Sequence, residues 1–393
     1  MAAGHAEIAG AGFAGLVAAI ALADRGWTVR VHERTPFLRA EGFALTIHGN
    51  GVKVLKALGV FEPAVAGAMR ISRLETRNAR NETTLALTPA SALYRISRQH
   101  LIATLAAAAE RRGVEVLVDS PVVSAKPDGQ LVLENGRVCQ ADLVIGAEGI
   151  NSRVRDTSGV RVRRIFLQAG GACRMVIPRS DAEKAIEPGD EAVNYEYWSG
   201  TRRIIANPCS RDDLYLALSC RDADASGKRI PLDGPSWREA FPHLAAVVER
   251  VGRETDWERV LWARFLIIRL SRWSAGRVAI VGDAAHSMPP DLGQGGGTAM
   301  MNALALAVAL AESADVETGL SLWEQSERPL TEHTQRVARI YNHSTLWPER
   351  LRTGVFKLIG RTALLREQVQ RTANHLPRGY QNEGGCHVSR SHG

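Results

Sequence analysis

The stretch Gly10-Ala-Gly12-Phe-Ala-Gly15 constrains this chain more than any other. A GxGxxG pattern alone is a weak signal, so its surroundings decide its meaning. His5–Ala9 before it has strand character. Phe13–Arg25 after it reads as a helix, with Leu16, Ala19, Ile20 and Ala23 on one face. Thr28–His32 reads as the next strand and ends at Glu33. That order is the dinucleotide-binding βαβ fingerprint. Gly10 permits the tight turn, Gly12 lets the backbone approach a diphosphate, and Gly15 lets helix and strand pack closely. Ala14 lies within the same loop-to-helix junction. The helix N-terminus offers free N–H groups and a partial positive charge. Glu33 can accept hydrogen bonds from ribose hydroxyls, and its charge opposes a 2′-phosphate. The pattern implies a dinucleotide without saying whether it is NAD, NADP or FAD.

The rest of the first third alternates strand and helix. Val52–Leu58 and His100–Arg112 read as helices, Glu115–Asp119 and Asp142–Gly146 as strands. Such alternation predicts a parallel, doubly wound sheet. From about Arg161 to Phe265 the texture changes to alternating, strand-like runs: Gly171–Ile177, Ala192–Tyr197, Arg203–Ala206 and Leu214–Ser219. These predict an antiparallel second lobe. Arg277–Val281 then returns to buried-strand character and leads to a helix over Gly297–Ala311. The fold class is therefore α/β: a Rossmann-like dinucleotide domain (1–160 and 266–345), an inserted antiparallel-sheet substrate domain (161–265) and C-terminal helices (346–380). A disordered polar tail is expected over 381–393.

With 393 residues, 45% of them hydrophobic, the chain can bury more than one core. The net charge of +7 comes from scattered Lys and Arg, which argues against nucleic-acid binding and suits anionic small molecules. No signal peptide and no membrane-spanning run are seen, so a cytoplasmic location without integral membrane association is expected. The five cysteines are widely spaced and form no CxxC pair, so reduced thiols are expected and no metal site. A monomer or a homodimer is expected.

A second glycine cluster narrows the cofactor. Arg277-Val-Ala-Ile-Val-Gly-Asp283-Ala-Ala-His286 ends a buried strand at an acid. Pro289-Pro290-Asp291-Leu-Gly293-Gln294-Gly295-Gly296-Gly297 then opens the long helix. A flavin needs such a stretch: Asp283 for a ribityl hydroxyl, bare glycine backbone along a planar ring, and a helix dipole toward the ring edge that gathers negative charge. FAD is the expected cofactor. His286 is expected to hold the loop.

Together these segments resemble the class A flavoprotein monooxygenases, the para-hydroxybenzoate hydroxylase-like family. The resemblance rests on the glycine loop with Glu33, on Asp142-Leu-Val-Ile-Gly-Ala-Glu148-Gly149-Ile-Asn-Ser-Arg153, and on Gly282-Asp283 with His286, Pro290 and Gly293-Gln294-Gly295. Within the family the chain is most similar to the pyridine-ring oxygenases acting on methyl-hydroxypyridine carboxylates. It departs twice: Glu148 stands where the family carries an aspartate, and Gly42-Phe-Ala-Leu45 stands where the family has Gly-Ala-Gly-Ile.

The resemblance implies an enzyme that takes NAD(P)H and O₂ and oxygenates a small aromatic or N-heteroaromatic acid or phenol through a C4a-hydroperoxyflavin. It implies FAD contacts from Arg34, Arg98 and Val122. It also implies that Arg203 and Tyr215, on successive strands, hold the substrate, as an arginine fork and a phenol can. The residues alone leave Arg203 open as a strand-edge charge and Tyr215 as a core aromatic. His48 borders the expected ring position and is a candidate proton acceptor, or a structural histidine. Pro290 and Asp291 sit beside the flavin loop, and some relatives use an acid there. Tyr195, Tyr197 and Trp198 alternate in a strand and are read as such. Two alternatives stay open: an oxidase or reductase of the same fold, and a flavin-binding protein without catalysis. The basic, partly amphipathic stretch Arg352–Gln368 is expected to pack on the body in preference to a membrane.

Overall fold

A computed structural model describes residues 4–38, 44–91, 93–185 and 191–381. Gly42, Phe43, Cys386 and the expected tail beyond 381 lie outside the described residues.

Six strands form the dinucleotide-domain sheet, in the order Ser274–Ala275, Val278–Ile280, Leu143–Gly146, His5–Ala9, Thr28–His32, Glu115–Leu117. All its neighbours pair in parallel except the first two. Leu143–Gly146 is buried at every residue, as a strand covered on both faces must be. The helix Phe13–Ala23 is buried from Phe13 to Leu22. Its small, apolar sequence has no polar face because the helix Gly295–Ala311 packs directly against it. A three-stranded antiparallel sheet (Val122–Lys126, Gln130–Leu133, Val138–Gln140) sits beside this unit.

A nine-stranded sheet builds the second lobe. Its order is Ala263–Leu270, Val162–Pro178, Asp213–Cys220, Arg202–Pro208, Glu191–Ser199, Met69–Asn78, Leu93–Ser97, Ala44–Ile47, with Thr83–Leu87 paired to Met69–Asn78. The inserted strands are antiparallel to one another. Glu191–Ser199 and Met69–Asn78 pair in parallel, and that seam joins the insert to strands from the first third. The sequence division at 160 and 161 therefore needs revision: four strands between Ala44 and Ser97 belong to the second sheet. Their signal is weak because Met69–Asn78 interleaves Arg, Ser, Glu and Thr, with polar residues on both faces.

One face of this sheet packs on the helices Gly234–Ala240 and Ala245–Glu254. Leu214, Leu216 and Leu218 point there, against Trp237, Phe241 and Val248. The alternating residues Tyr215, Ala217 and Ser219 point the other way and line a cavity. A period of two thus divides core from site within a single strand.

The helix Val316–His343 packs on the helix Gly295–Ala311 and touches the strand Val162–Pro178 of the second sheet. The helix Glu349–Arg361 buries Phe356 against Leu85, Leu87 and Trp198, so this part of the amphipathic stretch packs on the protein body. No helix among the described residues is long and apolar enough to cross a membrane. Cys139, Cys173, Cys209 and Cys220 are buried and unbridged.

Candidate functional site

A cavity of about 2260 Å³ runs from the glycine loop, between the two sheets, to the C-terminal helices. Ordinary ligand pockets hold roughly 300–1,000 Å³, so this one has room for a dinucleotide and a second molecule.

The three glycines of the loop differ in what surrounds them. Gly10 has φ +98°, and a Cβ there would meet the Ala147 carbonyl oxygen at 2.6 Å. A Cβ on Gly15 would meet the Gly10 carbonyl oxygen at 2.0 Å. Both are closed by the protein's own backbone. A Cβ on Gly12 would meet nothing within 4 Å. Gly12 faces the cavity, and the space before it is what a diphosphate needs. Glu33 closes the loop: its carboxylate accepts from the Ala11 N–H at 3.1 Å and the Thr35 N–H at 3.0 Å. Ala14, Arg34, Arg98 and Val122 line the same end.

Asp283 opens onto the cavity floor after Gly282, whose φ of +62° makes the turn. The protein around it pushes its carboxyl up, and the Arg98 charge opposes that shift. Gly293, Gln294, Gly295 and Gly296 line the cavity wall. Gly293 adopts a left-handed conformation with φ +63°. Gly297, expected beside them, is instead buried against Asn50, where a Cβ would meet Oδ1 at 2.8 Å. Its task is packing the helix start. Gln294 donates to the Val369 carbonyl at 3.1 Å and so ties the loop to the C-terminal region.

The departure at Glu148 has a local explanation. Its carboxylate accepts from the Ser152 hydroxyl at 2.5 Å and from the N–H groups of Arg153 and Val154 at 3.0 Å each. The longer side chain caps the short helix Arg153–Thr157. Burial pushes its carboxyl up, against these hydrogen bonds. From that helix the buried Arg155 donates to the Ala284 carbonyl at 3.1 Å, joining this motif to the Asp283 segment.

The substrate end differs more from the sequence reading. Arg203 is buried and fully engaged. It donates to Ser219 at 3.1 Å and Glu196 at 3.1 Å, and it pairs with Asp291. Asp291 in turn accepts from Asn342 at 3.0 Å, and Glu196 accepts from the Tyr341 hydroxyl at 2.9 Å. This network ties the sheet, the Pro290–Leu292 loop and the helix Val316–His343 together. Arg203 and Asp291, expected as substrate anchor and catalytic acid, are thereby committed to each other. A guanidinium facing two carboxylates has no need of a third anion. Pro290 is exposed and begins the loop that this network braces.

His48 is buried and held by the Leu292 backbone, and burial pushes its imidazole down to about 4. A base that weak fits holding the Pro290–Leu292 loop better than taking a proton at neutral pH. His286 is likewise pushed down to about 4, and its Nε2 lies 3.0 Å from the Asn302 amide nitrogen. It is buried and does not line the cavity. Tyr197 and Trp198 pack in apolar clusters, and with Tyr195 they do not line the cavity.

Tyr215 does line the cavity, half-buried, and beside it stands a residue that the sequence reading missed. Arg95 is 4% exposed, and its guanidinium lies 5.8 Å from the Tyr215 ring centroid. It donates to Thr46 Oγ1 at 3.2 Å and to Asn194 Oδ1. The signal existed: within Leu93–Ser97 the alternate residues Leu93, Arg95 and Ser97 all face the cavity. The lining also includes the apolar Leu74, Leu85, Leu87, Leu93 and Ile359, of which Leu74, Leu85, Leu87 and Ile359 form one cluster.

Comparison with known proteins agrees with this geometry. A family model for the FAD binding domain matches residues 5–339. The 2-heptyl-3-hydroxy-4(1H)-quinolone synthase of Mycobacteroides abscessus is 39% identical over 377 residues, covering 92% of this chain and 96% of the relative. The 3-amino-4-hydroxybenzoate 2-monooxygenase of Streptomyces cremeus is 30% identical, covering 84% of this chain and 85% of the relative. The structure of a tetrameric 2-methyl-3-hydroxypyridine-5-carboxylic acid oxygenase superposes with a TM-score of 0.82 at 33% identity, covering 94% of this chain and 96% of that one. A glycine loop whose Gly12 is open to the cavity, the acids Glu33 and Asp283 on the wall of that cavity and near-full-length similarity to ring oxygenases agree: this chain belongs to the FAD-dependent aromatic monooxygenases.

Proposed function

We propose that the chain uses NAD(P)H and O₂ to hydroxylate the ring of an alkyl-substituted 4-quinolone or a closely similar N-heteroaromatic compound. The balance is one ring C–H, O₂, NAD(P)H and a proton in, and one ring C–OH, NAD(P)⁺ and water out. The observation that carries this reading is the shape and lining of the cavity. It is polar and glycine-lined at the dinucleotide end, and apolar at the end formed by Leu74, Leu85, Leu87 and Ile359. A flat acid of one ring would leave that apolar end empty, whereas an alkyl tail fills it. Similarity to the quinolone synthase supports the same choice.

In this reading Gly10–Ala14, with Arg34 and Arg98, hold the FAD diphosphate. Glu33 takes the ribose, Val122 borders the adenine and Asp283 takes a ribityl hydroxyl. The Gly293–Gly296 backbone lies along the ring. Bound FAD supplies the acceptance of a hydride and the activation of O₂. The protein orients the second ring, excludes water and braces the Pro290–Leu292 loop through Arg203, Asp291 and His48. Arg153, Arg164, Arg174, Arg259 and Arg264 line the cavity too, and such a basic wall suits the phosphates of a nicotinamide cofactor. Four buried, unbridged thiols fit a reducing, cytoplasmic setting.

The test is NAD(P)H oxidation by the purified flavoprotein with 2-alkyl-4(1H)-quinolones of increasing tail length. Each buried methylene adds about 0.8 kcal/mol, so kcat/KM should rise roughly fourfold per carbon until the apolar end is full. A rate that ignores tail length, or that prefers single-ring acids, contradicts the assignment.

A further inference from the structure

Among the buried arginines on the cavity wall, Arg95 stands apart. Arg203 faces two carboxylates. Arg95, 4% exposed, has neutral partners only: a threonine hydroxyl, an asparagine oxygen and the face of Tyr215. Its Nη1 is buried and has no hydrogen-bond partner. Among the described residues no carboxylate pairs with it. Arginine keeps its proton under ordinary conditions, so a full charge sits here out of water. A buried charge without a counter-ion costs several kcal/mol, and an anionic or strongly polarised oxygen relieves that cost. Burial opposes its charge, and only the un-ionised groups Tyr215 and Cys209 favour it.

The position says which oxygen. The dinucleotide's diphosphate belongs at Gly12, where Arg34 and Arg98 line the cavity. Arg95 lies on the nine-stranded sheet directly across from Thr46, which a Cβ on Gly293 would meet at 3.8 Å, and beside Tyr215. A ring whose tail lies toward Leu74 and Ile359 would present its polar edge here.

We infer that Arg95, with Tyr215 and Asn194 beside it, anchors the ring oxygen of the substrate, the 4-oxo oxygen of a quinolone in the reading above, on which this inference rests. The guanidinium draws negative charge onto that oxygen. Charge held there favours loss of the ring N–H proton to water, and the anion left behind shares its electron density between that oxygen and the carbon next to the C–O carbon. That is the ring position an electrophilic oxygen attacks. Arg95 is thus a positioning and polarising residue that selects rings bearing an oxygen, and it forms no bond to the oxygen transferred.

The test uses two probes, 2-heptyl-4(1H)-quinolone and 2-heptylquinoline, which lacks the ring oxygen. Binding to the FAD-loaded protein is read from perturbation of the flavin spectrum. Arg95→Gln should weaken quinolone binding roughly 10- to 100-fold, the usual range for one charge-assisted hydrogen bond. It should leave 2-heptylquinoline binding and flavin content unchanged. Arg95→Lys keeps the charge and loses the fork, so it should show a smaller, quinolone-only loss, and it serves if the glutamine variant folds poorly. Equal losses for both probes, or a fall in flavin content, would overturn the inference by making Arg95 a general structural or cofactor residue. Unchanged quinolone affinity in both variants would overturn it while leaving the proposed function standing. Failure of the wild-type protein to bind either probe would overturn the proposed function itself and the inference with it.

Discussion

Gly12→Ala and Gly15→Ala are the same chemical change three residues apart, and the structure assigns them opposite consequences. Gly12 has φ −79° and ψ −176°, a conformation alanine adopts freely, and its new methyl would meet no protein atom within 4 Å. The apoprotein should lose less than about 1 kcal/mol, the scale of a poorer helix cap. The methyl would instead stand where a diphosphate must approach. Backing the ligand off removes charge-assisted hydrogen bonds from the loop N–H groups, each worth about 1.5–3 kcal/mol. Loss of one such bond raises the FAD dissociation constant roughly 10- to 100-fold. At Gly15 the methyl would lie 2.0 Å from the Gly10 carbonyl oxygen. Backbone must move there, so the apoprotein should lose about 1–3 kcal/mol or more, less up to about 1 kcal/mol gained in helix propensity. Denaturant unfolding of the two apoproteins, with FAD titration of each, separates the effects. Wild-type FAD affinity in Gly12→Ala, or equal destabilisation of both apoproteins, would refute this account of the loop.

Three further outcomes follow. Arg203→Met leaves Glu196 and Asp291 buried without their cation and should cost about 3–5 kcal/mol. The Tm deficit relative to wild type should shrink as pH falls from 8 to 5.5, because burial already pushes the Glu196 carboxyl up and, without the Arg203 charge, it can then take up a proton. His48 and His286 are held near 4 in the folded protein against 6.5 when free. The unfolded chain therefore binds more protons between those values, so stability is full above pH 6.5 and is lost as pH falls toward 4. Thermal melts across that window check this, and His286→Asn should lessen the slope. Ile359→Trp should fill the apolar end, weakening 2-heptyl-4(1H)-quinolone binding at least tenfold while sparing the 2-methyl homologue, as parallel titrations would show.

The dinucleotide end was legible because local sequence dictates it. A turn that must be left-handed, a helix that must approach a strand and an acid at a strand end each leave a residue-level mark, as at Gly10, Gly15 and Glu33. The substrate end was harder to read because its meaning is non-local. Arg203 looked like an anchor until Glu196, Asp291 and Asn342 closed around its network from separate parts of the chain. Arg95 carried the reverse fault. It lies in a five-residue strand whose partners, Thr46 and Asn194, are far away in sequence, so nothing nearby showed that its charge lacks a counter-ion. The strands between Ala44 and Ser97 were missed for a related reason. Met69–Asn78 carries polar residues on both of its faces, which breaks the usual alternation.

The central claim is that one cavity holds FAD and a ring that it oxygenates. The most direct measurement is mass spectrometry of the product formed from 2-heptyl-4(1H)-quinolone by the flavin-loaded protein with NAD(P)H under ¹⁸O₂. The account predicts one ¹⁸O atom in the ring product for each nicotinamide oxidised. Nicotinamide oxidation that yields only hydrogen peroxide with every N-heteroaromatic ring offered, or product oxygen drawn from water, would contradict it.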